Sequence, residues 1–257
     1  MLEVKGLCKD FGGLAAVNEV SFTIAAGEIL GLIGPNGAGK TTVFNLLTGY
    51  LRPTRGRIIF EGKDITGENT HTIAQRGLVR TFQADNIFPE FSVLNNVILA
   101  CHLKPHVNIW ETVLHTATGQ RKDKEILRRS HQILEIVGLE NQANINAGYL
   151  AHGHKRLLGI AIALAAGPKL VLLDEPLAGM NGAEVSETMQ LVNKLGQRGL
   201  TILLIEHNMR AAMGLCGRIV VLNFGRKIAE GPPEEIRVNK DVVQAYLGAN
   251  EYVPQIN

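Results

Sequence analysis

The chain has 257 residues, 46% of them hydrophobic, and a formal net charge of +2. That length suits one large α/β domain or a core carrying a sub-domain, and that composition excludes wholesale disorder. The near-neutral balance argues against a dedicated nucleic-acid binder, which presents a basic patch or stripe, so no nucleic-acid partner is expected.

Three scattered cysteines, Cys8, Cys101 and Cys216, show no CxxC spacing and fit reduced thiols better than a disulfide framework. The opening MLEVKGLCKDF has no apolar core of a signal peptide. No apolar run reaches the roughly 18 residues that span a bilayer, so work at a membrane would need another chain to hold this one there.

The elements follow in chain order. "VNEVSFTIAAGEILGLIG" alternates apolar and polar residues, turns at Ala-Gly and becomes a continuous apolar strand. A glycine-rich loop and a helical pattern, "KTTVFNLLTGYL", come next. Pro53 and Gly56 punctuate a turn before "GRIIFEGKDI", a strand and hairpin. From about 92 to 166 the pattern is mainly helical. There "DKEILRRSHQILEIVGL" puts Ile126, Leu127, Ile133, Leu134 and Val137 near one face, with Gly138 as a C-cap. The stretch 102–122 reads as a loop with helical pieces. After Pro168, "KLVLLDEP" and "LTILLIEH" are short buried strands with a helix between them around 183–198. "RIVVLNFGRKIAEG" gives two strands joined at a Gly turn, and Pro233 starts the terminal helices with two Glu in the first turn. Strand and helix alternate around an inserted helical block. This predicts an α/β fold with a mostly parallel sheet, helices on both faces and an all-α sub-domain. The divisions expected are 1–91, 92–166, 167–231 and a C-terminal helical tail, 232–257.

Residues 34–42 read GPNGAGKTT and match G-x-x-x-x-G-K-[ST] between a strand and a helix, the required context of a P-loop. In Gly34, Pro35, Asn36, Gly37, Ala38 and Gly39 the glycines let backbone N–H groups turn inward to cradle phosphate oxygens. Lys40 brings a point charge to the terminal phosphates, the hydroxyl of Thr41 can ligate Mg²⁺, and Thr42 follows in the motif. The helix beyond offers its positive end. ATP and Mg²⁺ are the expected ligands. Asp174, ending "KLVLLD", is the natural metal-holding acid, and Glu175 can polarise an attacking water.

Together, GPNGAGKTT, "RTFQ", LAHGH, "LLDEP", "AGMN" and "LLIEH" resemble the ATP-binding subunit of an ABC transporter, in order and spacing across roughly residues 1–232. The resemblance implies a RecA-like P-loop core, an N-terminal antiparallel β region and an inserted helical sub-domain. It places Gln83 at the Q-loop, touching the Mg²⁺ or water. Asp174 becomes the Walker B carboxylate, Glu175 the general base and His207 the switch histidine on the γ-phosphate. Ala178–Asn181 falls at the D-loop, and Phe11 near the aromatic position that stacks on adenine. "VRTFQ", the insert near 102–122, "DEPLAGMN" and the ending "EGPPEEI…AYLG" resemble the importer subunit for branched-chain amino acids; importers of urea or short amides share these features. Such a resemblance implies a second ATPase subunit, two transmembrane permease subunits and a soluble solute-binding protein. It also implies a peripheral place on the cytoplasmic face of the cell membrane.

Leu150, Ala151, His152, Gly153 and His154 occupy the signature position, where the family usually has L-S-G-G-Q or L-S-x-G-Q. Only Leu150 and Gly153 match, and Gly159 and Ile162 stand downstream where Glu and Arg are usual. A metal site at the two histidines would need third and fourth ligands, and none is evident nearby. Both histidines also read as exposed loop residues, His152 above all, because that position varies within the branch. In the family each signature loop caps the ATP held by the other subunit. Ala151 keeps the backbone donors and loses a hydroxyl, a hydrogen bond to a charged group whose loss predicts roughly ten- to hundredfold weaker closure or turnover at the partner's site. The expected function is therefore an ATP-hydrolysing motor of an importer. The alternative is a nucleotide-gated binding subunit with little turnover. A third reading, a non-transport ABC protein, lacks the second cassette or coiled-coil insertion that such chains carry.

Overall fold

The computed structural model describes residues 1–81, 87–102, 117–206 and 208–247. These fall into two compact units. One comprises Met1–Arg76, Leu172–Glu175 and the chain from Val192 onward; the other comprises Gly77–Val171 and Pro176–Leu191.

The first unit contains two sheets. Strands β1 (Leu2–Phe11), β2 (Leu14–Ile24), β4 (Arg55–Phe60) and β5 (Lys63–Asp64) form an antiparallel sheet in the order β2-β1-β4-β5. Its register sets Val4 opposite both Phe22 and Ile58, so one apolar face forms from alternate residues of three strands. Glu61 and Gly62, both at positive φ, make the tight turn between β4 and β5.

The second sheet centres on β3 (Ile29–Ile33), parallel to β8 (Thr201–Ile205) on one side and β9 (Arg218–Asn223) on the other. Strand β10 (Arg226–Gly231) runs antiparallel to β9, and the Leu172–Asp174 end of β7 (Leu170–Asp174) lies beside β8. Every residue of β7 and β8 is buried, as expected of strands covered on both faces. Arg218 locks the start of this sheet. Its guanidinium grips Glu28 through two bonds (2.8 and 3.1 Å), donates to the Thr23 carbonyl (2.7 Å) and pairs with Glu230. The Glu28 hydrogen bond, first among several causes, pushes the Arg218 pKa up. The helices of this unit are α1 (Lys40–Leu47), α2 (Thr70–Gln75), α7 (Met209–Leu215), α8 (Pro233–Val238) and α9 (Lys240–Leu247). Pro233 opens α8 at its first turn, as the sequence indicates.

In the second unit α3 (Val93–His102), α4 (Ala117–Val137) and α5 (His152–Ala165) pack pairwise. Strand β6 (Leu78–Arg80) lies in this unit, where Gly77 O accepts from Lys169 N and Leu170 N at the entry to β7. Helix α6 (Gly182–Gln197) begins here. Helix α4 buries Ser130, Ile133, Leu134 and Val137 and ends at Gly138, whose φ is +75°. Leu127 departs from the sequence reading. It lies one position off that stripe and is 43% exposed.

The sequence divisions at 91, 166 and 231 do not coincide with the compact units. Residues 77–91 and 176–191 belong with the helical unit, and the terminal helices α8 and α9 with the first. Periodicity reports local structure, while membership of a unit is set by long-range contacts that no local pattern encodes.

Candidate functional site

The phosphate loop lies where β3 ends and α1 begins, outside the carboxyl ends of parallel strands. Its conformation is fixed from within and from its neighbours. Ala38 N donates to Pro35 O (3.1 Å), Gly225 N donates to Ala38 O (3.0 Å), and Asn18 N donates to Gly225 O (2.7 Å). Gly39 is the N-cap of α1 at φ +100°, and a Cβ there would stand 2.6 Å from Ala16 O. Only glycine satisfies both the left-handed backbone and that close approach. Lys40 is buried, and its ammonium donates to Gly34 O (2.6 Å) and Pro35 O (2.9 Å). The loop is thus folded around the charge that its motif supplies.

A cavity of about 450 Å³ opens over this loop, walled by residues 36–42, Leu14, Ala15, Ala16, Glu175, Phe224 and Gly225. Glu175 follows directly on β7, and its N–H donates to Ile205 O at the end of β8 (3.0 Å). Its φ is +48°, unusual for a side chain with a Cβ. Such backbone strain concentrates at functional sites, where the surroundings over-determine one geometry. Asp174, one residue earlier, is buried. Thr41 on the cavity wall and Asp174 at the strand end offer oxygen donors alone, the ligand chemistry that Mg²⁺ takes.

Phe11 ends β1, 47% exposed, with the Lys9 ammonium 5.1 Å from its ring centroid, and is not among the residues lining the cavity. Two large apolar residues that sequence reasoning passed over do line it: Leu14 and Phe224. Phe224 is 84% exposed at φ +44° in the turn between β9 and β10, next to Gly225. The available signal was the "NFG" turn, since an aromatic residue beside a turn glycine has no core to enter. Gln83 and His207 lie outside the described residues.

In the helical unit the LAHGH turn leads into α5. Leu150 and Gly153 are buried, and Ala151 is the N-cap, with no side-chain capping bond. His152 is exposed, whereas His154 is half-buried with Nδ1 3.1 Å from Gln142 Nε2. Among the described residues no group of three His, Cys, Asp or Glu stands together to hold a metal ion. Asn181 opens α6, accepting from Ala183 N (3.0 Å) and Glu184 N (3.1 Å) through Oδ1.

A family model described as "ABC transporter" matches residues 17–178, and one described as "Branched-chain amino acid ATP-binding cassette transporter" matches residues 226–252. The chain is similar to the high-affinity branched-chain amino acid transport ATP-binding protein BraF of Pseudomonas aeruginosa, at 43% identity over 96% of this chain and 98% of that one. It is 45% identical to LivG of Salmonella typhimurium, a protein of the same description, over the same shares of both chains. Among solved structures it resembles the ADP conformation of MJ1267, an ATP-binding cassette of an ABC transporter. The TM-score is 0.85 at 31% identity, covering 96% of this chain and 98% of that one.

Proposed function

The chain belongs to the ABC transporter family as an ATP-binding, ATP-hydrolysing subunit, and on that premise we propose that it powers an importer of branched-chain or other hydrophobic amino acids. The observation that carries the catalytic part is Glu175, held at φ +48° on the wall of a cavity floored by a complete phosphate loop. The solute assignment is drawn from the relatives and from the family match over residues 226–252.

In this reading the amides of Gly37, Gly39 and Lys40 and the Lys40 ammonium bind the phosphates. Thr41 and Asp174 would hold Mg²⁺, which would supply positive charge against the terminal phosphates. Glu175 accepts the proton of the attacking water and orients it in line with the phosphorus. Gln83 and His207 keep the roles given by the family pattern. Leu14 and Phe224 wall the cavity beyond the phosphates. The signature turn, Leu150–His154, serves the nucleotide held by a second ATPase subunit. No helix among the described residues is long and apolar enough to cross a membrane. The proposal assigns that passage to two permease subunits, with this chain at their cytoplasmic face and a solute-binding protein on the far side.

A nucleotide-gated subunit with little turnover is the second reading, favoured by Ala151, which caps α5 without a side-chain bond. Steady-state Mg-ATP hydrolysis, measured on the chain alone and with its co-purifying ATPase partner, separates the two. Turnover in either mixture supports the motor. ATP binding with turnover in neither supports the gated subunit. Stimulation by leucine and its binding protein in the reconstituted complex tests the solute.

A further inference from the structure

Gly153 sits in the first turn of α5 with no left-handed backbone to demand glycine, yet a Cβ there would stand 2.6 Å from Glu184 Oε1 and 2.9 Å from Glu184 Cδ. That carboxylate is not idle. Its Oε2 accepts from Asn181 N (2.9 Å), while Asn181 Oδ1 accepts from Glu184 N (3.1 Å). The two residues therefore form a reciprocal capping box at the start of α6. A group at position 153 would displace this carboxylate, and with it the bond that Oε2 accepts from Asn181 N. The opposite contact mirrors this one. A Cβ at Gly179, in the loop before α6, would stand 3.1 Å from both Cδ2 and Nε2 of His152. Each side thus presents a glycine, and each glycine is covered by a side chain of the other: Gly153 by Glu184 of α6, and Gly179 by His152 at the start of α5.

We propose that His152 and Glu184 are positioning residues that clasp the signature turn to the Ala178–Asn181 loop, so that the two loops shift as one piece. The clasp explains a histidine that the nucleotide chemistry leaves without a role. The N-cap of α5, Ala151, offers no side-chain acceptor, so the turn has no side-chain cap of its own and rests on its packing against Glu184. The functional consequence rests on the proposed reading, in which the signature turn meets the partner ATPase's nucleotide. A loop pre-set by its neighbour closes without first being ordered.

The test has two arms. The first is a double-mutant cycle of Gly153→Ala with Glu184→Ala, read by hydrogen exchange of the segment 178–185 in the full chain. The added methyl pushes the carboxylate off Asn181 N, so Gly153→Ala alone should speed exchange there by about tenfold, the scale of a lost cap. In the Glu184→Ala background the same change should add nothing further. Additive effects, or no effect of Gly153→Ala, would overturn the clasp.

The second arm measures ATP-driven pairing in a Glu175→Gln background, with the natural ATPase partner present. Glu184→Ala should weaken pairing about tenfold while ATP affinity of the unpaired chain stays as it was. Glu184→Gln retains an acceptor for Asn181 N and should restore pairing. Equal loss of ATP binding and pairing, or no loss of pairing, would contradict the positioning role. If the parent Glu175→Gln protein fails to pair at all, the trans-acting reading of the signature fails, and the exchange cycle alone still decides the clasp.

Discussion

The phosphate loop and the signature turn both end at a helix N-terminus, but they are held in different ways. The first is closed on itself: Lys40 folds back on Gly34 and Pro35, Ala38 bonds Pro35, and Gly39 caps α1. The second has only Ala151 as its cap and leans on Glu184 and His152 contacts with the loop before α6. A loop braced largely from within, with a tie from Gly225 N to Ala38 O, depends less on its neighbours. A buttressed turn keeps its geometry only while its neighbour does.

The largest effect expected from this contrast is at Lys40. Lys40→Ala removes the charge assigned to the terminal phosphates in the proposed function and should weaken ATP binding by about 100-fold or more, measured by titration calorimetry. A change of only a few-fold would mean that the backbone amides carry the phosphate alone. Gly39→Ala comes next. It forces a Cβ against Ala16 O at a left-handed φ, and should cost more than about 1 kcal/mol in urea unfolding. Full stability would show that the loop is more yielding than its bonds suggest.

Ala151→Ser sharpens the comparison from the other side. It gives α5 the acceptor that it lacks and should add about 1 kcal/mol to stability. It should also raise turnover at the partner's site if the missing hydroxyl limits closure. Stability that does not rise would mean that the clasp already fixes the first turn.

The smallest effect concerns Cys216, whose Sγ would stand 3.0 Å from a Cβ at Gly31 of β3, the strand that feeds the phosphate loop. Burial, followed by the charges of Glu206 and Glu28, pushes this thiol up from 9.0 to about 12. Because the folded pKa is raised, the native chain holds its proton where the unfolded chain has lost it. The contribution is complete below pH 9.0 and should fade as pH climbs towards about 12. Cys216→Ala should flatten that slope in denaturant titrations. An unchanged slope would place the alkaline sensitivity elsewhere.

The same contrast explains how much of the molecule was legible in the sequence. GPNGAGKTT encodes its chemistry within one turn of chain, and the structure sets its residues 36–42 around one cavity together with Glu175. The buried strands β7 and β8 and the Glu61–Gly62 turn were likewise written locally. What could not be read depends on residues distant in the chain. His152 is exposed, as its sequence suggests, but its ring also packs close to Gly179, and Glu184 carries no local signal because its partner, Gly153, lies in another helix. Phe224 and Leu14 reach the cavity through strand pairing that no motif records. The unit boundaries at 76, 171, 175 and 191 are contact properties, invisible to periodicity.

The most direct measurement is ATP turnover and ATP retention by Glu175→Gln alongside the unaltered chain, each with its ATPase partner. Removing the general base should lower turnover by about 10²–10⁴-fold while ATP stays bound and the paired state accumulates. Turnover equal to that of the unaltered chain would contradict the assignment of Glu175, and with it the reading of its strained backbone as catalytic.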